Sequence, residues 1–297
     1  MTFKIITINS IKEFQECKFN EYWLFRGQTQ DWSLKSSIER LLYELDYDYY
    51  WYLDERASGN KPLREEFIDK FKTETGFINY KKLHLISLMQ HYGLKTELLD
   101  VTENLDVGLF FACDNDFERD GVLWAFNILN LYFCNIANKI VKQSNKNKDG
   151  EIAIEYSRKS LMPNAYFTNF VCHCSLYDFQ KKENLRVKRQ AGKFLFAPNF
   201  WRSNYFANTE NAIFSSYGLS KNKSYPSDIK DIDYSSVGDK IIKFIIPAKL
   251  KRECLYYLRN KNITKEYLFP KTKEDYKLEK ICSNILCEFR ARESRLF

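Results

Sequence analysis

The clearest alternation of apolar and polar positions runs through residues 86–112, I-S-L-M-Q-H-Y-G-L-K-T-E-L-L-D-V-T-E-N-L-D-V-G-L-F-F-A. Residues 86–92 read as the apolar end of a helix, and Gly93 is the left-handed stop such a helix calls for. Residues 96–101 then read as a short buried strand with Asp100 near its end. Thr102 offers a hydroxyl cap to a second helix, whose apolar face is Leu105, Leu109 and Phe110. His91, Thr96, Asp100 and Thr102 thus fall at turns flanking a buried strand, where polar side chains can project into a cleft.

The rest of the chain follows the same grammar. Residues 1–8 read as a strand, and 10–16 as a short helix with Ser10 as cap and Ile11 and Phe14 inside. The aromatic run Tyr22-Trp23-Leu24-Phe25 ends a strand in Arg26-Gly27-Gln28. Helices are expected at 38–45, at 63–73 and at 80–92, with an acidic, aromatic turn at 46–60. Residues 121–128 read as a buried strand after a charged turn at 114–120. Residues 131–141 look helical, and 142–150 (K-Q-S-N-K-N-K-D-G) form the clearest loop. Residues 151–161 and 165–174 bring further chain over one edge. A polar turn at 184–190 runs into a strand ending near Phe196, and 199–233 are polar and loop-rich. A strand at 240–246 is stopped by Pro247, a helix follows to 260, and a charged amphipathic helix closes the chain at 273–292. Strands and helices that alternate irregularly, with no internal repeat, indicate an α+β fold.

Composition narrows the classes. The chain has 297 residues, 44% of them hydrophobic and 16% aromatic, ample for a large core. It contains no run of the roughly 18 apolar residues that a membrane-spanning helix needs. The apolar N-terminus is too short for a signal peptide and lacks a small-residue cleavage site. Eight cysteines without a CxxC suit reduced, intracellular thiols, and Cys172-His173-Cys174 lacks the second ligand pair of a zinc site. We therefore expect a cytoplasmic protein with no metal and no membrane partner. The net charge of +7 would suit a polyanion. The abundance of Lys, Asn, Ile and Tyr is equally that of many low-GC bacterial proteins. Nothing in the sequence sets an oligomeric state.

Several ordered motifs resemble the FRG domain family, named for its Phe/Tyr-Arg-Gly motif. Arg26 and Gly27 match that motif. Gln90, His91, Gly93 and Thr96 match a Gln-His-x-Gly-x-x-Thr run, and Leu98, Leu99, Asp100 and Thr102 a Leu-Leu-Asp-x-Thr. Arg186, Gln190, Gly192 and Phe194 are similar to a later Arg-x-x-x-Gln-x-Gly-x-Phe element, and Ile246-Pro247 with Leu268-Phe269-Pro270 to a closing strand and turn. The resemblance implies one domain with a core at about 20–270, an insertion at about 129–183 and a C-terminal helix at about 273–292. Where the family usually has Arg and Trp, this chain has Glu97 and Val101.

A remoter resemblance is to NAD-dependent ADP-ribosyltransferases, which share the aromatic-Arg-Gly strand. In those enzymes a Ser-Thr-Ser strand follows; Asp100-Val101-Thr102 stands in its place. Gly108 to Ala112 is similar to the next helix, residues 121–128 to the strand after it, and Gln190-Ala191-Gly192 falls where a Glu-x-Glu would. This implies a mixed central sheet with flanking helices and NAD as cofactor. Arg26 would hold the cofactor phosphates and Thr102 the nicotinamide-side ribose. Asp100 and His91 would form the centre of the cleft, and Gln190 would meet the ribose hydroxyls, with Gly27 and Thr96 alongside. Such an effector, a toxin or phage-defence component, would act on a macromolecular acceptor.

Three other readings stand beside it. Arg26 can instead form a structural ion pair with Asp100, and His91 can serve only as a C-terminal cap. The basic run Arg186-Val187-Lys188-Arg189, with Lys221, Lys223 and the aromatics Phe200-Trp201 and Tyr205-Phe206, can form a nucleic-acid surface. The chain can also be a non-catalytic recognition module. It has no Walker loop, no Rossmann fingerprint and no nucleophile elbow.

Overall fold

Seven strands form one mixed sheet in the order β1-β7-β4-β2-β3-β6-β5. The computed structural model describes residues 4–20, 23–46, 62–80, 82–127, 172–175, 185–196 and 241–293. The strands are β1 (Lys4–Thr7), β2 (Trp23–Gln28), β3 (Leu98–Thr102), β4 (Gly121–Asn127), β5 (Cys172–Ser175), β6 (Gly192–Phe196) and β7 (Ile241–Ile246). β1 runs parallel to β7, whereas along β7, β4, β2 and β3 each strand is antiparallel to its neighbour, as are β5 and β6. The fold class is therefore α+β, as the irregular alternation of the sequence predicts. The expected features at 46–60 and 199–233, and the expected insertion at 129–183, fall outside the described residues except for Asp46 and β5.

The chain divides into two compact units. The first comprises Met1–Leu34 and Asp100–Phe269, the second Lys35–Leu99 and Pro270–Phe297. In the first, β4 is buried from Gly121 to Phe126, as a strand with neighbours on both sides requires. Helix α1 (Ile11–Glu16) is capped by Ser10, whose hydroxyl accepts from the Glu13 amide, and it buries Phe14. Helix α5 (Leu105–Cys113) lies over β2. Its Val107, Leu109 and Phe110 join Phe25, Leu123, Phe244 and Ile246 in the main core. Among the described residues this unit also contains the helices α6 (Leu185–Arg189), α7 (Ala248–Asn260) and α8 (Lys265–Leu268).

The expected cap of α5 is corrected. Asn104, not Thr102, accepts from the Asp106 and Val107 amides. Thr102 is the last residue of β3, so its backbone is still in the ladder, and its hydroxyl accepts from the Asn104 amide at 3.0 Å rather than from an amide of α5.

The described residues of the second unit include the helices α2 (Ser37–Glu44), α3 (Leu63–Thr75), α4 (Lys82–His91) and α9 (Lys273–Glu293). Phe67 and Phe289 meet edge to face at 5.5 Å. Ser36 and Glu39 close a reciprocal capping box at the head of α2. The stop read at Gly93 is a paired terminus. Gly93 has φ +95°, its amide donates to the Gln90 carbonyl, and the Leu94 amide donates to the Met89 carbonyl.

Candidate functional site

β2 carries two different faces, because successive side chains alternate across a strand. Phe25 faces the core under α5. Gly27 faces the same way, and a Cβ there would lie 2.1 Å from the Gly108 carbonyl oxygen and 2.4 Å from the Ala112 nitrogen. The glycine of the Arg-Gly pair is thus required by a helix crossing directly over the strand. That accounts for Gly27 without a ligand.

Arg26 projects to the other face, directly opposite Trp124 of β4. Its Nη1 donates to the Asp100 carbonyl at 2.7 Å and lies 3.9 Å from the Asp100 Oδ2. The side chains differ sharply in exposure, 14% for Arg26 against 60% for Asp100. A largely buried cation therefore faces a solvated carboxylate at a distance too long for a tight hydrogen-bonded pair. Gln28, two residues along the same face, accepts from the Trp124 indole at 2.9 Å.

The family model of the FRG domain matches residues 21–121. This segment is an FRG domain. No curated protein and no solved structure matches the chain. The match takes in Arg26, Gly27 and the 90–102 motifs. It ends before Arg186–Phe194 and the strand ending in Ile246-Pro247, which therefore stand outside it. The matched residues fall in both units.

Within the first unit, the end of β3 is tied to the turn between α6 and β6. The Thr102 hydroxyl donates to the Gln190 carbonyl at 2.7 Å, and the Glu103 amide donates to the Ala191 carbonyl at 3.0 Å. The Gln190 side-chain amide donates to the Leu268 carbonyl at 3.0 Å. Thr102 and Gln190 are therefore brought together, but with hydroxyl and amide engaged by main chain. The basic turn is engaged as well: Arg186 stacks over Phe269 at 4.8 Å, and Arg189 over Tyr267 at 4.7 Å while donating to its carbonyl.

The exit of β2 from the FRG motif is held by a buried ammonium. Lys251 of α7 is 0% exposed and donates to the carbonyls of Thr29, Asn115 and Asp116 at 2.7, 3.0 and 2.8 Å. Burial pushes its pKa down. Asp116, in the left-handed region at φ +50°, accepts from Gln30 and Thr29 at 2.9 Å, and these bonds hold its carboxyl below the usual range. The sequence hint was a lysine on the apolar stripe of Leu250, Cys254 and Leu258; only the three-dimensional acceptor set explains it.

In the second unit, Thr96 of the FRG domain is fully buried. Its hydroxyl donates to the Gln90 Oε1 at 2.7 Å and its amide to the Ser37 hydroxyl at 2.9 Å. The Gln and Thr of the Gln-His-x-Gly-x-x-Thr run thereby lock the end of α4 to the start of α2, which accounts for Thr96 as framework rather than as a ligand contact. His91 ends α4 with its ring edge-on to Tyr92 at 5.0 Å, and the Tyr92 hydroxyl donates to Asp275 at 3.0 Å. Glu97, the departure from the family, is 2% exposed and lies 3.4 Å from Arg64. A positive charge does stand beside the motif, carried by α3.

Proposed function

We propose that the FRG-domain chain binds NAD through Arg26 and acts as an ADP-ribosyltransferase-like effector, a toxin or phage-defence component, on a macromolecular acceptor. The observation that carries this reading is the mismatch at Arg26: a guanidinium mostly withdrawn from water, with an exposed aspartate held off at 3.9 Å. A rigid guanidinium in that setting suits bidentate phosphate binding, and the exposed carboxylate can yield its place at little cost.

When bound, NAD supplies an activated ribose whose bond to nicotinamide is broken on transfer. Arg26 holds the phosphates. Asp100, at the end of β3, carries the negative charge that offsets positive charge developing at the ribose, an interaction strongest where water is excluded. Gln190 cannot carry charge, and its amide is occupied by Leu268. The acid role thus falls to Asp100 in this chain. The order of elements from β2 through β4 also parallels the transferase order, which supports the reading at the level of topology.

The test is release of nicotinamide from NAD by the full chain and by Asp100→Asn. Turnover that falls by about 100-fold in the variant is the expected result, the scale of losing one electrostatic stabiliser. Full turnover in Asp100→Asn would remove Asp100 from the mechanism. No turnover in the wild type, with or without cell extract as acceptor source, would remove the transferase.

A further inference from the structure

Arg26 is not alone on its face of the sheet. Arg26 lies directly opposite Trp124, and Trp124 directly opposite Lys243 of β7. Residues opposite one another in antiparallel strands share a face, so the three form one cross-strand row. The Lys243 ammonium sits 5.3 Å from the centre of the Trp124 ring. Adjacent strands are about 4.8 Å apart, which sets the Arg26 and Lys243 backbones about 10 Å apart.

The two cations are withdrawn from water to the same degree, although Lys243 touches its carboxylate where Arg26 lies 3.9 Å from Asp100. The Lys243 side chain is 12% exposed and its partner Asp31 59%, against 14% and 60% for Arg26 and Asp100. The Lys243 ammonium contacts both Asp31 oxygens, at 2.6 and 2.7 Å. Each end of the row is therefore a withdrawn cation neutralised by a carboxylate that remains in water. Such carboxylates hold the place of an anion and can exchange for a more highly charged one from solvent. Trp124 is itself buried, so it sets the spacing of the row and offers no surface to a ligand.

We propose that Arg26 and Lys243 are the two ends of one anion site, and that its ligand carries two linked phosphates that bridge the two cations. Asp31 is the carboxylate this ligand displaces, and Asp100, already 3.9 Å from the Arg26 guanidinium, makes room beside it. The inference rests on the reading of Arg26 as an anion-binding residue. It extends that reading to a residue outside the FRG match and fixes the ligand class as a diphosphate, whether inorganic, of a nucleoside diphosphate or of a dinucleotide.

The experiment is calorimetric titration of the full chain with inorganic phosphate, inorganic pyrophosphate, ADP and NAD. It uses the wild type, Lys243→Gln, Arg26→Gln and Asp31→Asn, each checked for an unchanged denaturation midpoint. Pyrophosphate is expected to bind at least about ten-fold tighter than phosphate, an advantage that either Gln variant abolishes. Asp31→Asn, which removes the competing carboxylate, is expected to tighten pyrophosphate binding several-fold. Should Lys243→Gln fail to fold, that opposite-signed effect of Asp31→Asn still decides the question. Wild-type affinity for pyrophosphate in Lys243→Gln, unchanged or weaker binding in Asp31→Asn, or no pyrophosphate binding at all would each overturn the proposal.

The arms also separate the two claims. NAD binding that needs Arg26 but not Lys243 overturns this inference and leaves the NAD reading intact. Pyrophosphate binding that needs both, without NAD binding, does the reverse. ADP binding as tightly as NAD would identify the nucleoside diphosphate as the natural source.

Discussion

Replacing Gly27 with alanine separates two explanations of the Arg-Gly pair. The added methyl would lie 2.1, 2.4 and 2.7 Å from the Gly108 oxygen, the Ala112 nitrogen and the Phe111 carbonyl carbon, all backbone atoms of α5. None can rotate away, so relief requires α5 to lift from β2. Restoring ordinary contact at 3.4 Å from 2.1 Å means a displacement of about 1.3 Å, enough to open the packing of Val107, Leu109 and Phe110 on the sheet. Overpacking commonly costs 1–3 kcal/mol, and with a whole helix displaced we expect Gly27→Ala to cost about 3 kcal/mol or more.

Gly108→Ala is the internal control. Its Cβ would meet Leu123 Cδ1 at 2.8 Å, the end of a flexible side chain, and Phe25 Cβ at 2.9 Å, which is fixed to the β2 backbone. Ordinary contact at 3.4 Å from 2.9 Å needs a shift of about 0.5 Å rather than about 1.3 Å, and alanine gains up to about 1 kcal/mol of helix propensity there, so the net cost should fall below that of Gly27→Ala. Urea denaturation followed by tryptophan fluorescence reads both variants. A loss of 3 kcal/mol moves the midpoint down by about 1 M or more. A Gly27→Ala midpoint within about 0.2 M of the wild type would refute the packing argument and return Gly27 to the role of leaving backbone open to a ligand.

Lys251→Met removes one charged donor from three main-chain carbonyls and should cost about 3 kcal/mol, read as a lower thermal midpoint; a neutral result would show that the carbonyls find other donors. Arg64→Met removes the positive charge facing the buried Glu97 and should cost about 3 kcal/mol, while Arg64→Met with Glu97→Leu should recover most of it; a double variant no better than the single would deny the pairing. For Asp275, burial raises the carboxyl, but bonds from the Thr272 amide and hydroxyl and the Tyr92 hydroxyl, with His91 near, outweigh it and hold the pKa below the usual range. A depressed folded-state value means stability present above the unfolded value, near 3.9, and lost as pH falls through the lower folded one. The midpoint gap between wild type and Asp275→Asn should accordingly shrink below about pH 4, and a gap constant from pH 7 to pH 2.5 would exclude this linkage.

The elements were legible where a local rule governs. Ser10 as a cap, Gly93 as a stop and the apolar run at 121–126 follow from capping chemistry and burial pattern, and the structure has all three. Local rules could not choose between Thr102 and Asn104 as a cap, because both residue types fit and the register of β3 decides. The Arg26–Asp100 contact was foreseen from charge and position. The row joining Arg26 to Lys243 was not, since it depends on β7 lying beside β4, a pairing across 119 residues from Trp124 to Lys243 that no local pattern encodes. Glu97 showed only as a departure from the family. Its partner Arg64 lies 33 residues earlier, on α3, where nothing in the sequence marks it.

The central claim is that Arg26 is a ligand-holding cation rather than a structural ion pair. Calorimetric titration of NAD into the wild type and into Arg26→Gln, with matched urea midpoints, tests it most directly. The account predicts binding by the wild type and a loss of about 100-fold in the folded variant, the scale of a bidentate charged contact. Equal affinity in both proteins, or no binding by the wild type, would contradict it and leave Arg26 as the partner of Asp100.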